Sequence, residues 1–447
     1  MLAGAGLAVL AALIVVGSCS PASTPTSQPA PVAAPEAPAQ PAPKPEAEPT
    51  PLRPGQPPAA EPDGAGEPQL RIGLAAGVAS ATIGGAAELT VMDPSGASLA
   101  AIPAGEQWRV IPSGTGISVQ PPGRPGSTPS EMLVVITTDA TQLVRVNGRG
   151  YRGVVEIVRG SEGLTIVNRL LLESYLTGVV SAEMGRRTSA EFEALKAQAV
   201  ASRTYAVRNR GRRRALGFDL HAGVADQVYI GAGSETPEGV EAVRATRGMA
   251  LTWQGAPVDA FYYSTCGGQT AEGVEAFAAA SRPYLQSLAD VDEAGQDYCR
   301  ISPRYRWREE WIGDALRSTL SRTLPVATKV RADQVSEVRD VWVAARSPSG
   351  RVARLGITLR ADQVMVTGQA IRQVLRPPSG ELLRSSAFTL TATGTGRSVG
   401  RLVADGRGAG HGVGMCQWGA VGRSRAGHDF QRILAAYYPG ASVQRIY

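Results

Sequence analysis

Glu183 is set apart by its surroundings. Behind it lies an apolar run, Tyr175, Leu176, Val179 and Val180, and ahead of it Phe192, Leu195, Ala199 and Ala206 recur at helical spacing. A carboxyl held by apolar neighbours has its pKa raised and can act as a general acid near neutral pH. Thr188 followed three residues later by Glu191 is a capping box, which predicts a helix starting near Ser189. The segment before Glu183 reads as a short strand or turn. Lys196 and Arg203 share a face of the predicted helix, two turns or roughly 10 Å apart. Pressed against Glu183 they would lower its pKa and oppose an acid role. They are therefore assigned to a ligand carboxylate.

Four ordered motifs carry a resemblance: VVSAEMG with LKAQAVASRTYA, then FDLHAGVADQVYIG, FYYSTCGGQTAEG and GRGAGHGVGMCQWGA. Together they resemble the sporulation protein D family (SpoIID/LytB), as does the approach YRG…NRLLLESYL. The resemblance implies cleavage of peptidoglycan glycan strands with Glu183 as catalytic acid. In a lytic transglycosylase a single Glu protonates the leaving oxygen. It then takes the proton of the muramic acid 6-hydroxyl, giving a 1,6-anhydro end, whereas ordinary glycosidases need two carboxylates. Only Glu183 lies in the recognised catalytic motif; Glu173, Glu191 and Glu193 read as approach or capping residues. The family's preference for strands freed of peptide would give Lys196 and Arg203 a lactyl carboxylate to bind. Gln227 and Tyr229 are expected to contact sugar. Ser264 and Gln269 offer neutral hydrogen-bonding groups, and His411 and Gln417, with Trp418 behind them, complete the candidate set.

Some relatives carry a His/Cys zinc set in the second motif. Here His221 stands with only Asp219 and Asp226, too few ligands for a structural zinc, so neither metal nor cofactor is expected. The glycine-dense last motif lacks the GK[ST] of a phosphate loop, and its glycines suit close approach of backbone to a ligand or a strand. Most relatives have Ser at position 416, which argues against Cys416 as a nucleophile paired with His411. The LytB side of the family supplies a rival reading, a wall-bound modifier of an amidase that cuts no glycan. A pure scaffold on a lipid tether is a third.

The elements that must position these groups are α+β in kind. From Leu70 to Val158 short β-like runs follow one another (LRIGLA, ELTVMD, WRVIP, MLVVITT, LVRVNG, VVEIV). Further β-like runs between Val330 and Thr393 suggest a second β-rich lobe. The expected fold is mixed sheets with a few helices around a glycan-binding groove. Its parts are a β-rich stretch (70–160), a core with the catalytic Glu (161–320), a β-rich insert (325–395) and a Gly-rich end (396–447). Residues 19–69 are rich in Pro, Ala, Glu and Thr and read as a disordered tether. Before them LAVLAALIVVGSCS reads as a signal-peptide core (1–18) ending in a lipobox-like Val16-Gly17-Ser18-Cys19, without a basic start. Cys19 is the expected lipidation site, giving an exported protein anchored to the membrane and facing the wall. Export permits disulfides. A Cys266–Cys299 bridge would stabilise by roughly 3–4 kcal/mol, leaving Cys416 free or buried. The net charge of +6 suits an anionic partner such as the wall. NRGRRR reads as a solvated helix end, not a nucleic-acid patch.

Overall fold

The computed structural model describes residues 66–277, 281–395 and 397–447. The expected leader, Cys19 and nearly all of the tether lie outside the described residues. Alternation drives the first part of the chain. Leu70 and Ile72 on Gln69–Val78, and Leu133 and Val135 on Met132–Thr137, are fully buried, while residues between them are more open. Seven strands form one sheet in the order Leu220–His221, Gln69–Val78, Leu164–Leu171, Val154–Arg159, Met132–Thr137, Leu89–Met92, Ser98–Ile102. Its first pair is parallel and the others are antiparallel, with Ile157 opposite Ile166 and Val155 opposite Val135. A five-stranded sheet packs with it. Its last hairpin, Val144–Val146 to Arg149–Tyr151, turns at Asn147-Gly148, both at positive φ (48° and 80°), as a two-residue type I′ loop requires.

Three helices follow: α1 (Leu172–Met184), α2 (Phe192–Asn209) and α3 (Pro237–Ala245). The α1 segment, expected as a strand or turn, is helical. Leu172, Tyr175, Leu176, Val179 and Val180 fall at i, i+3, i+4, i+7 and i+8 and are all buried. Gly185, at φ 66°, ends the helix five residues after Val180 and leaves Glu183 in its last turn. The capping box lies where the sequence places it: the Glu191 carboxylate accepts the Thr188 N–H at 3.0 Å. It opens a 3-10 turn (Ser189–Glu191) that runs into α2. Residues of α2 from Ala194 to Ala206 are buried on nearly every side. Over that stretch only Lys196 is partly open to solvent, so the helix displays no paired charge there.

A second core forms around Trp307, Trp311, Leu316, Leu355, Ile357 and Leu402, extending from Trp307 to Ala404 and so beyond the 325–395 stretch at both ends. It joins two three-stranded antiparallel sheets and the helix Gly313–Ala327. The architecture is α+β with mixed sheets. Among the described residues no helix is long and apolar enough to cross a membrane.

Candidate functional site

Glu183 meets three donors from three parts of the chain. Its Oε1 accepts the Val228 N–H at 2.9 Å and lies 3.5 Å from the Tyr262 hydroxyl; its Oε2 accepts the Gln417 amide at 3.2 Å. Behind these, Gln227 donates to the Tyr262 hydroxyl (2.9 Å) and accepts from the Tyr175 hydroxyl (3.2 Å). Gln198 accepts from Gln417 and donates to Ser202. Among the described residues no second carboxylate and no cation joins this network. Burial pushes the Glu183 carboxyl above its ordinary pKa, and the Val228 N–H, the Gln417 amide and the Tyr262 hydroxyl oppose it only in part. The result is a carboxyl whose proton is retained to higher pH, held by neutral donors.

The glycine-rich motif makes this convergence possible. Met415–Cys416 pairs in parallel with Tyr262–Tyr263, bringing Tyr262 and Gln417 to the same carboxylate. Gly414 sits at φ +74°, where a Cβ would lie 2.0 Å from the Phe261 carbonyl oxygen. His411 accepts the Val413 N–H on Nδ1 (3.2 Å), which places the proton on Nε2, 3.0 Å from the Tyr262 carbonyl. Burial drives its pKa down to about 3, so the ring stays neutral. Both nitrogens are occupied by backbone, and His411 orients Tyr262 instead of moving protons.

The other candidates fall in different places. Arg203 is fully buried, with its guanidinium on Glu173 by two bonds of 2.7 Å and on the Met249 carbonyl. It faces no ligand, because α2 is enclosed. Burial alone would raise the Glu173 pKa, but Arg203 and Tyr447 bring it below the ordinary value. Lys196 pairs with Glu193 at 2.7 Å and lies against the rings of Phe192 and Phe430. The helix that was to present both cations to a ligand thus spends them within the fold. Gln227 and Tyr229 are buried; Tyr229 donates to Asn168 at 2.8 Å and packs on Tyr175. They support the site instead of facing a sugar. Ser264 neighbours Thr265, and its carbonyl accepts the Trp418 N–H. Gln269 donates to Ser287 at 2.7 Å and does not reach Glu183. In the second motif the Asp226 carboxylate is engaged by the His221 N–H, Tyr205 and Arg213, and Asp219 by the N–H groups of Arg71 and Gly211.

Tyr262, Gln198 and the Val228 N–H were not foreseen. FYYSTC reads as a strand, and nothing in its spacing distinguishes Tyr262 from Tyr263. Tyr262 also lines a cavity of about 510 Å³ together with His411, Phe277, Asp226, Asp259, Arg212 and Arg372. The expected Cys266–Cys299 bridge is not formed: the sulfurs lie 3.3 Å apart, and both residues and Cys416 are buried thiols. Cys416 completes a cluster in which all three sulfurs lie within 4.8 Å of one another.

The chain is similar to known proteins over most of its described length. A family model described as stage II sporulation protein (SpoIID) matches residues 160–253, which hold α1, Glu183 and α2. A domain of unknown function, DUF8618, matches residues 290–414. Stage II sporulation protein D of Bacillus amyloliquefaciens is 30% identical over 294 residues, 62% of this chain and 75% of that one. An uncharacterised protein of Brachyspira hyodysenteriae is 30% identical over 317 residues, 70% of this chain and 76% of its own. The amidase enhancer of Bacillus subtilis is 26% identical over 60% of this chain and 40% of its own. With Glu183 and its donors lying on the motifs that the sequence singled out, the chain belongs to the SpoIID family.

Proposed function

We propose that this protein cleaves peptidoglycan glycan strands as a single-Glu lytic transglycosylase, leaving 1,6-anhydro-muramic ends. The observation that carries this reading is Glu183 itself, a desolvated carboxyl with raised pKa held by neutral donors; Asp226 and Asp259 on the wall of the neighbouring cavity are held in ion pairs with Arg213 and with Arg208 and Arg282. Glu183 gives its proton to the glycosidic oxygen and, as carboxylate, receives that of the 6-hydroxyl. The Val228 N–H and the Gln417 amide stabilise the carboxylate between the two steps. The cavity lined by Tyr262, whose hydroxyl lies 3.5 Å from Glu183, takes the sugar next to the scissile bond, although Glu183 is not itself on its wall. Arg212 and Arg372 on its wall pair with no acid among the described residues and take over the carboxylate-binding role expected of Lys196 and Arg203. A strand without peptide, whose lactyl carboxylates are free, is the substrate that fits. The protein acts outside the membrane, held there by a lipid anchor at Cys19.

The name of the Bacillus subtilis amidase enhancer supports a second reading, stimulation of a wall amidase without glycan cleavage. Mass spectrometry of denuded and intact glycan strands separates the two. Wild type is expected to yield anhydro-ended fragments from denuded strands, and Glu183→Gln none. No fragments from either protein, with amidase turnover raised by both, would establish the second reading.

A further inference from the structure

We propose that Cys266, Cys299 and Cys416 bind one thiophilic metal ion of the Zn2+ type, with Asp290 beside the Cys266 sulfur. The three sulfurs come from separate elements. Cys266 follows the strand Tyr262–Tyr263, Cys299 lies in the 3-10 turn Tyr298–Ile301, and Cys416 caps the helix Gln417–Arg425. All three are fully buried and their sulfurs lie within 4.8 Å of one another, with Cys266 and Cys299 at 3.3 Å. Tetrahedral zinc with Zn–S bonds of about 2.3 Å separates its sulfurs by roughly 3.7 Å, inside the range found here. The Asp290 Oδ2 is 3.3 Å from the Cys266 sulfur and stands outside the group of three, so it supports Cys266 and leaves the fourth position of the ion open.

The surroundings are those of metal-bound thiolates. Backbone N–H groups point at sulfur: Cys266 and Gly419 donate to the Cys416 Sγ at 3.1 and 3.2 Å, and Gly268 to the Cys266 Sγ at 3.3 Å. Asp290, which supports Cys266 from outside the group of three, is itself anchored, with Oδ1 on Arg423 (3.0 and 2.9 Å) and Oδ2 on the Tyr437 hydroxyl (2.8 Å). Arg423 in turn lies over the rings of Tyr298 and Tyr437. Three thiols at one point cannot all be consumed by disulfides, whereas one ion uses all three. On binding, the three thiol protons leave to solvent and the ion's charge offsets the thiolates. The ion would tie together the elements that carry Tyr262 and Gln417, two of the three donors to Glu183. Its role is to position them.

The test is metal and thiol stoichiometry on the full chain, purified in detergent without chelator and incubated with Zn2+, then with Co2+. About one zinc per chain is expected, with three thiols titrating only after denaturation in chelator, and a thiolate-to-cobalt charge-transfer band on cobalt exchange. Cys299→Ser should lose that band. Tyr437→Phe, which keeps every ligand, should weaken metal affinity about tenfold. A disulfide between any two of the three, mapped by non-reducing peptide mass spectrometry on protein with no metal, would overturn the proposal. Three free thiols that take up neither ion would overturn it equally.

Discussion

At the scale of single residues, the chemistry of Glu183 follows from what surrounds it and what does not. A carboxyl whose pKa is raised on folding keeps its proton to a higher pH than an exposed one, so an acid-catalysed rate should decline as pH rises through that pKa. The stability sign is the same. The folded state binds the proton more tightly than the unfolded chain, so the stabilisation is fully present below the unfolded value. It is lost as pH rises through the folded one. Glu183→Gln should therefore abolish cleavage while raising Tm relative to wild type more at pH 8 than at pH 5, as differential scanning calorimetry would show. For this the Gln417 amide must turn to offer its oxygen. Arg203 makes the opposite case. Removing one member of a buried, bidentate ion pair strands Glu173, and Arg203→Ala is expected to cost about 3–5 kcal/mol in chemical denaturation. An unchanged denaturation midpoint with weakened glycan binding would return Arg203 to the ligand.

At the scale of elements, α1 and α2 explain why part of the site was legible and part was not. The capping box at Thr188–Glu191 is a local signal, written in residues three apart, and it lies where it was read. The strand-or-turn reading of the segment before Glu183 missed a helical period already present in Leu172, Tyr175, Leu176, Val179 and Val180. The reading of α2 as a helix was right and its exposed face was not. Whether a Lys or Arg meets solvent depends on which elements close over it, and α2 is covered by α1, α3 and the C-terminal helices. The glycine-rich motif acts at this scale too. Since Gly414 has positive φ and its Cβ would strike the Phe261 carbonyl, Gly414→Ala should shift the Met415–Cys416 strand away from Tyr262. The expected outcome is a loss of several degrees in Tm together with reduced cleavage. A variant with wild-type Tm and rate would show that the pairing tolerates a side chain there.

At the scale of the whole molecule, segments of both cores line the cavity beside Tyr262. The family model covers the helices with Glu183, while the second core carries Arg372 to the cavity beside Tyr262. Burial and the charge of Arg351 lower the Arg372 pKa to about 10, so it remains a cation at neutral pH. Arg372→Ala is expected to raise KM for denuded strands about tenfold with kcat nearly unchanged, on the scale of one charge-assisted contact. An equal fall in kcat with KM unmoved would remove Arg372 from substrate binding. At the front of the chain, Cys19→Ser should release the protein from the membrane fraction on cell fractionation. Retention would move the anchor elsewhere.

The sequence by itself determined the family and the α+β character, and it singled out Glu183 and Gln417, which the structure brings into hydrogen-bond contact. Those conclusions rest on local periodicity and on short motifs that keep their meaning wherever the chain goes. Only the tertiary structure decided which side chains meet. It turned Arg203 inward to Glu173, spent Lys196 on Glu193 and two aromatic rings, and buried Gln227 and Tyr229 behind the site. It also gathered Tyr262, Val228 and Gln417 around Glu183, and three cysteines as far as 150 positions apart around one point. Pairing across such separations is set by how helices and sheets close on a shared core, and spacing along a chain carries no record of that closure.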